Sequence, residues 1–200
     1  MNYLWSYLRM QKNNSIYKDV HHGLIKHCKK GQQKAQMQIY KLYYKAMFNA
    51  SLRIVKSKSD AEDLMHDSFL DAFNKIEQYS EGGSFGGWLK RIVINNSLDF
   101  IRQQKPSIKL IENTEIEEEI DDHIEEVNVK LKDVKEALLL IKDEYRIIIS
   151  LYLFEGYDHE EICDILNISY NLSRTRYSRA KKKLIEKIKD IQKERSMKWA

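Results

Sequence analysis

Apolar residues recur at intervals of three and four along most of this chain, the spacing of helices that bury one side. In the first half the pattern predicts helices at about 18–30, 32–56, 60–77 and 85–103, and in the second half at about 128–141, 143–154, 158–166 and 170–192. On the third helix Leu64, Met65, Phe69, Ala72, Phe73 and Ile76 share a face and belong in a core. Its start carries Ser59-Asp60-Ala61-Glu62, the S-x-x-E arrangement of a capping box. The opposite face holds Asp63, His66, Asp67, Leu70 and Asn74. A leucine in that polar stripe is either a stray exposed side chain or part of a docking surface, and spacing alone leaves both open.

Four glycines between 82 and 87 make a turn-rich entry to the fourth helix. Phe85, Trp88, Leu89, Ile92 and Val93 form its apolar side, and Asn95, Asp99 and Arg102 a second stripe. Asp99 and Arg102 are spaced to pair along the helix surface. Glycines and aromatics ahead of a basic helix fit either a hinge over a core or a place for single-stranded bases to stack.

In the second half Gly156 is suited to end one helix and Asp158 to cap the next. Residues 158–166, the turn Asn167-Ile168-Ser169 and the helix from Tyr170 then read as helix, tight turn, helix. Ile162, Ile165, Leu166 and Ile168 supply the apolar side, and Ser173, Tyr177, Ala180 and Leu184 face inward. Tyr170, Asn171, Arg174, Thr175, Ser178 and Lys181 to Lys183 are left outward, with Arg176 and Arg179 on the flanks. An outward face of donors and cations on the second helix is the layout of a DNA-reading helix-turn-helix, in which arginine forks onto guanine edges and lysine neutralises phosphate. A merely solvated basic helix is the plainer reading, and the turn geometry favours DNA.

Charge adds a boundary to this pattern. Residues 1–105 carry 17 basic and 9 acidic side chains, residues 106–131 carry 2 and 9, and residues 132–200 carry 15 and 12, within a total of +4. The acidic stretch holds the only proline, Pro106, and the run EIEEEIDDHIEE. It reads as a linker over 104–127, between helical domains at 18–103 and 128–192. The fold class is therefore all-α, with two helical domains joined by an acidic linker and a C-terminal helix-turn-helix.

Cys28 and Cys163 make no disulfide framework and match no paired metal spacing. No apolar run approaches a membrane span, and the N-terminus lacks the features of a signal peptide. Cytoplasmic placement with no membrane insertion is expected. An enzyme is disfavoured. His159-Glu160-Glu161-Ile162-Cys163 has cysteine where a zincin needs its second histidine, and the reading here is a surface histidine over a core cysteine. His21, His22, His27 and Cys28 form a looser group without zinc-site spacing. Neither a phosphate-cradling loop nor a nucleophile elbow is present, so no catalytic residue, metal or cofactor is assigned.

With these segments in view, the chain resembles the bacterial RNA polymerase sigma factors of the extracytoplasmic-function (ECF) class. GQQKAQMQIYKLYYKAMFNASLRIVKSKSDAEDLMHDSFLDAF and FGGWLKRIVINNSLDFIR carry the likeness in the first domain, with DAEDL its most specific element. YRIIISLYLFEGYDHEEICDILNISYNLSRTRYSRAKKKL carries it in the second. The resemblance implies binding to core RNA polymerase, promoter-specific initiation of transcription and an anti-sigma factor as partner. It implies that Asp63, His66, Asp67, Leu70 and Asn74 dock on polymerase, which decides between the two readings of Leu70. The loop from Tyr79 through Ser84 to Phe85 would capture a flipped base of the proximal promoter element. Lys90, Arg91, Asn95, Asn96 and Arg102 would line adjoining DNA. Tyr170, Asn171, Arg174, Thr175, Arg176, Ser178, Arg179 and Lys181 would read the distal element. A dimeric operator-binding regulator is the alternative, but it would need a ligand or phosphoacceptor domain in place of the DAEDL-to-WLKRI region.

Overall fold

Where each helix starts and stops is set by a few residues with special backbone or capping chemistry. In a computed structural model of the chain, residues 18–80, 83–104 and 130–197 are described, and among them there are helices and turns but no strand. They fall into two units, one on each side of the acidic stretch, each with its own core. The expected linker, apart from Gln104, and residues 1–17 lie outside the described residues.

The first unit comprises α1 (Lys18–Lys29), α2 (Gln33–Val55), α3 (Lys58–Asn74), a 3-10 turn (Ile76–Gln78) and α4 (Phe85–Gln104). Gly31 and Lys56 take positive φ and break the chain between successive helices. Ser57 follows that second break in an extended conformation, and its hydroxyl accepts from the Asp60 N–H at 3.3 Å. The cap of α3 is therefore Ser57, and the expected Ser59–Glu62 box lies inside the first turn. Capping falls to the first competent side chain after the left-handed residue. At its other end α3 stops at Asn74, short of the expected 77, and the tighter 3-10 turn brings Ile76 and Tyr79 into the core.

Helices α2, α3 and α4 pack on one another around Ile39, Met47, Met65, Phe69, Leu89 and Val93. Three serines sit fully buried in this bundle: Ser51, Ser68 and Ser97. The Ser97 hydroxyl donates to the Val93 carbonyl at 2.7 Å and Ser68 to Leu64 at 2.6 Å, while the Ser51 and Ser97 oxygens lie 2.9 Å apart. A small side chain that bonds its own helix lets backbones approach without leaving a buried polar atom unpaired.

The second unit comprises α5 (Leu131–Leu140), α6 (Asp143–Ile149), α7 (His159–Leu166) and α8 (Tyr170–Met197). Helix α6 runs directly into a π-helix, Ser150–Glu155, where the sequence predicts continued α-helix. From Arg146 to Leu151 every residue is buried, which accounts for the apolar residues Ile147 to Ile149 and Leu151 on all sides of the helix, broken by Ser150, since a helix apolar nearly all round belongs at a core's centre. Gly156 ends the segment at φ +79. Helix α8 extends to Met197, past the expected 192, because its last turns have a partner. Arg195 is ion-paired to Asp133 and Glu136 at the start of α5, and Gln192 Nε2 donates to Asp133 at 3.1 Å. None of the described helices is long and apolar enough to cross a membrane.

Candidate nucleic-acid interface

The helix-turn-helix is built by reciprocal capping and one left-handed residue. Asp158 accepts from the Glu161 N–H at 2.9 Å, and the Glu161 carboxylate accepts from the Asp158 N–H at 2.8 Å. This full capping box starts α7. Asn167, at φ +55, turns the chain, and the Ser169 hydroxyl accepts from the Leu172 N–H at 3.2 Å to start α8. Ile162, Ile165 and Leu166 are buried, with Ile168 half-buried.

On α8 the structure places Tyr170, Asn171, Arg174, Lys182 and Lys183 in solvent, with Thr175, Ser178, Arg179 and Lys181 half-buried beside them. Ser173, Ala180 and Leu184 are buried and Tyr177 half-buried, as the spacing predicts. Arg176 differs. It is only 6% exposed and turned into the unit. Positions 173, 176 and 180 follow the i, i+3, i+7 rule of one helix face, and the arginine's charge masked that register. One of its guanidinium nitrogens has no hydrogen-bond partner. Burial pulls its pKa below the ordinary arginine value, opposed by nearby Glu144. Further along, Lys183 pairs with Glu186 and Lys187 with Asp190, both at 2.8 Å.

His159, the first residue of α7, is half-buried among rings, and Cys163 is half-buried rather than in the core. Its Nδ1 lies 2.9 Å from the Ser173 hydroxyl on α8. Its ring centroid is 4.8 Å from Tyr152, 5.7 Å from Tyr177 and 5.9 Å from Tyr170. The looser histidine group near the N-terminus also separates. His21 packs edge-on to Tyr43, His22 and His27 are exposed, and burial pushes the Cys28 thiol up to about 11.

In the first unit Asp63, His66, Asp67, Leu70 and Asn74 are all exposed along one side of α3, Leu70 by 62%. Sequence reasoning missed what flanks them. The His66 ring lies parallel to Tyr40 at 5.7 Å, and Tyr40 stacks on Tyr44 at 5.6 Å. The i, i+4 spacing of the two tyrosines was the available signal.

At the entry to α4 the aromatics are not an open platform. Tyr79 and Phe85 are buried, 5.3 Å apart edge to face, with Trp88 5.5 Å from each. The Tyr79 hydroxyl donates to the Gly83 carbonyl at 2.6 Å, Lys29 donates to the Tyr79 carbonyl at 3.1 Å, and the Ser84 hydroxyl accepts from the Gly87 N–H at 3.1 Å. Tyr79, Ser84 and Phe85 thus anchor the loop ends, and the aromatic faces are spent on one another. A Cβ at Gly86 would come within 2.8 Å of the Tyr43 ring, so this glycine permits the close packing. Lys90 and Arg91 are half-buried, Asn95 is exposed, and exposed Arg102 pairs with Asp99 at 2.8 Å as the spacing predicts. Asn96 is turned to α3, its amide donating to Ser68 and to Asp71 at 3.0 Å each.

Comparison with known proteins matches both units. Residues 39–106 match the family model of sigma-70 region 2, and residues 131–184 that of sigma-70 region 4. The ECF RNA polymerase sigma factor SigW of Bacillus subtilis is 28% identical over 179 residues, covering 84% of this chain and 96% of that protein. The RNA polymerase sigma factor SigV of the same organism is 29% identical over 138 residues, covering 68% and 80%. Among solved structures, the sigma factor RpoE in complex with the anti-sigma factor NepR from Bartonella quintana superposes with a TM-score of 0.55 at 24% identity, covering 76% of this chain and 96% of that one. CnrH in complex with the cytosolic domain of CnrY gives a TM-score of 0.51 at 19% identity, covering 84% and 96%.

Proposed function

From the premise that this chain belongs to the sigma-70 family, in its extracytoplasmic-function class, we propose that its two units divide the work of promoter-directed transcription initiation. The unit at 18–103 docks on core RNA polymerase and handles the proximal promoter element. The unit at 128–192 reads the distal element. The observation that carries this reading is the pairing of both sigma-70 regions with two separately cored units, one ending in an outward basic helix.

The exposed stripe Asp63, His66, Asp67, Leu70 and Asn74 is the polymerase-docking surface, because it combines acids with a solvent-facing leucine that contributes nothing to its own core. Tyr79, Ser84 and Phe85 hold the loop that captures a base, while Lys90, Arg91, Asn95 and Arg102 face adjoining DNA. Asn96 acts indirectly, holding α4 against α3. A captured base repays an unstacking cost of a few kcal/mol, so strand opening is driven by binding rather than hydrolysis. On α8 Tyr170, Asn171 and Arg174 are the base-reading group, with Thr175, Ser178, Arg179 and Lys181 toward phosphate. The chain is a non-catalytic regulator that works in the cytoplasm. It is held in reserve by an anti-sigma factor, as RpoE binds NepR.

The test is co-purification with core RNA polymerase, then run-off transcription on genomic fragments. Core-dependent, fragment-selective transcripts are expected. Tight binding to duplex DNA without core, and no binding to core, would favour the operator-binding regulator instead.

A further inference from the structure

Ser173 is fully buried at the start of the recognition helix, in the turn that carries Asn171 and Arg174 into solvent. A buried hydroxyl needs a partner. Two kinds of partner are open to a serine on a helix. One is a carbonyl of its own helix, the choice made by Ser97 and Ser68 in the other unit. The other is His159 Nδ1, 2.9 Å away on α7. Only the second joins two elements. His159 is itself fixed, since it opens a helix held by a reciprocal capping box and lies 4.8 Å from the Tyr152 ring on the π segment.

We propose that His159 is a positioning residue for promoter recognition: its bond to Ser173 sets the rotation of α8 about its axis, and so the angle at which Arg174 meets a base edge. This rests on the reading of α8 as the distal-element helix. Arginine's two-pronged contact to a base is directional, whereas lysine contact with phosphate is not. Losing the pin should therefore erode discrimination between DNA sequences more than it erodes overall DNA binding. The tyrosines around the imidazole hold the ring's place, and its nitrogen supplies the register.

The experiment uses holoenzyme assembled from the full chain and core polymerase. It compares transcription from a fragment selected by the wild-type holoenzyme with the same fragment carrying a scrambled distal element. His159→Phe keeps a ring against Tyr152 but loses Nδ1, and Ser173→Ala removes the other partner. His159→Asn returns a polar atom near the position of Nδ1. Each of the first two should lower the selectivity ratio about three- to tenfold, the range of one hydrogen bond. The double variant should fall no further than either single one, and His159→Asn should recover much of the ratio. A wild-type ratio of one would sink the distal-element reading itself, and the pin with it. With a selective wild type, an unchanged ratio in folded His159→Phe, or losses that multiply in the double variant, would overturn the pin alone.

Discussion

Asp133 in the first turn of α5 and Arg195 in the last turn of α8 are ion-paired across 62 residues of sequence. Asp133 is 1% exposed and also accepts from Gln192. That hydrogen bond, followed by Arg195, holds its carboxyl below the usual aspartate range. The pair closes the second unit.

The carboxyl gives this closure a pH dependence. Its folded-state pKa is depressed, so its contribution is full above the unfolded value near 4 and is lost as pH falls through the folded value. Thermal melts from pH 2.5 to 7 should show wild type and Asp133→Asn fully separated above about pH 4 and drawing together as the pH falls below it. At neutral pH, Asp133→Ala should lower the melting temperature, because Gln192 loses its acceptor and Arg195 keeps only Glu136.

Arg174 and Arg176 are two residues apart and should behave as opposites. Arg174→Ala should leave the melting temperature nearly unchanged and weaken promoter binding by about 1–3 kcal/mol. Arg176→Met replaces a buried cation with no ion pair among the described residues, so stability should hold or rise. DNA affinity should be retained. Calorimetry and holoenzyme binding on the same preparations separate the two.

Leu70 is exposed by 62%, and Leu70→Arg should shift stability by no more than about 0.5 kcal/mol. Co-purification with core polymerase should nevertheless fail. Retained co-purification would return Leu70 to the stray surface leucines.

Gly86→Ala would push a methyl into the Tyr43 ring, which packs on Phe85 at 5.8 Å. A loss of about 1–3 kcal/mol is expected, the usual range for overpacking. A changed near-ultraviolet circular dichroism signal from the Tyr43, Tyr79, Phe85 and Trp88 cluster should accompany it.

Periodicity carried most of the helix boundaries, and Gly156 and Asp158 marked two of the ends for stated chemical reasons. The failures share a cause. Residue type was allowed to stand for side-chain direction. Arg176 looked like a surface cation, yet it is turned inward, and the choice between hinge and stacking left open ahead of α4 turned on the burial of Tyr79 and Phe85 by neighbours distant in sequence. The Ser57 cap was hidden because the left-handed Lys56 before it carries no sequence signature. The His159–Ser173 contact spans a turn and could be found only once the two helices were seen to cross. The exposed stripe on α3 was legible because it lies on a single helix, where spacing alone fixes direction.

At about 1.5 Å per residue, the 28 residues of α8 make a beam of about 40 Å, anchored at its far end by Arg195 and with Tyr170, Asn171 and Arg174 in solvent at its near end. The acidic stretch joins the second unit at residue 130, three positions from Asp133. Tension arriving along the chain from the first unit would meet this anchor before any other part of the second core. A pull entering at residue 130 would thus reach the Asp133–Arg195 ion pair at the last turn of α8 before Tyr170 at its first.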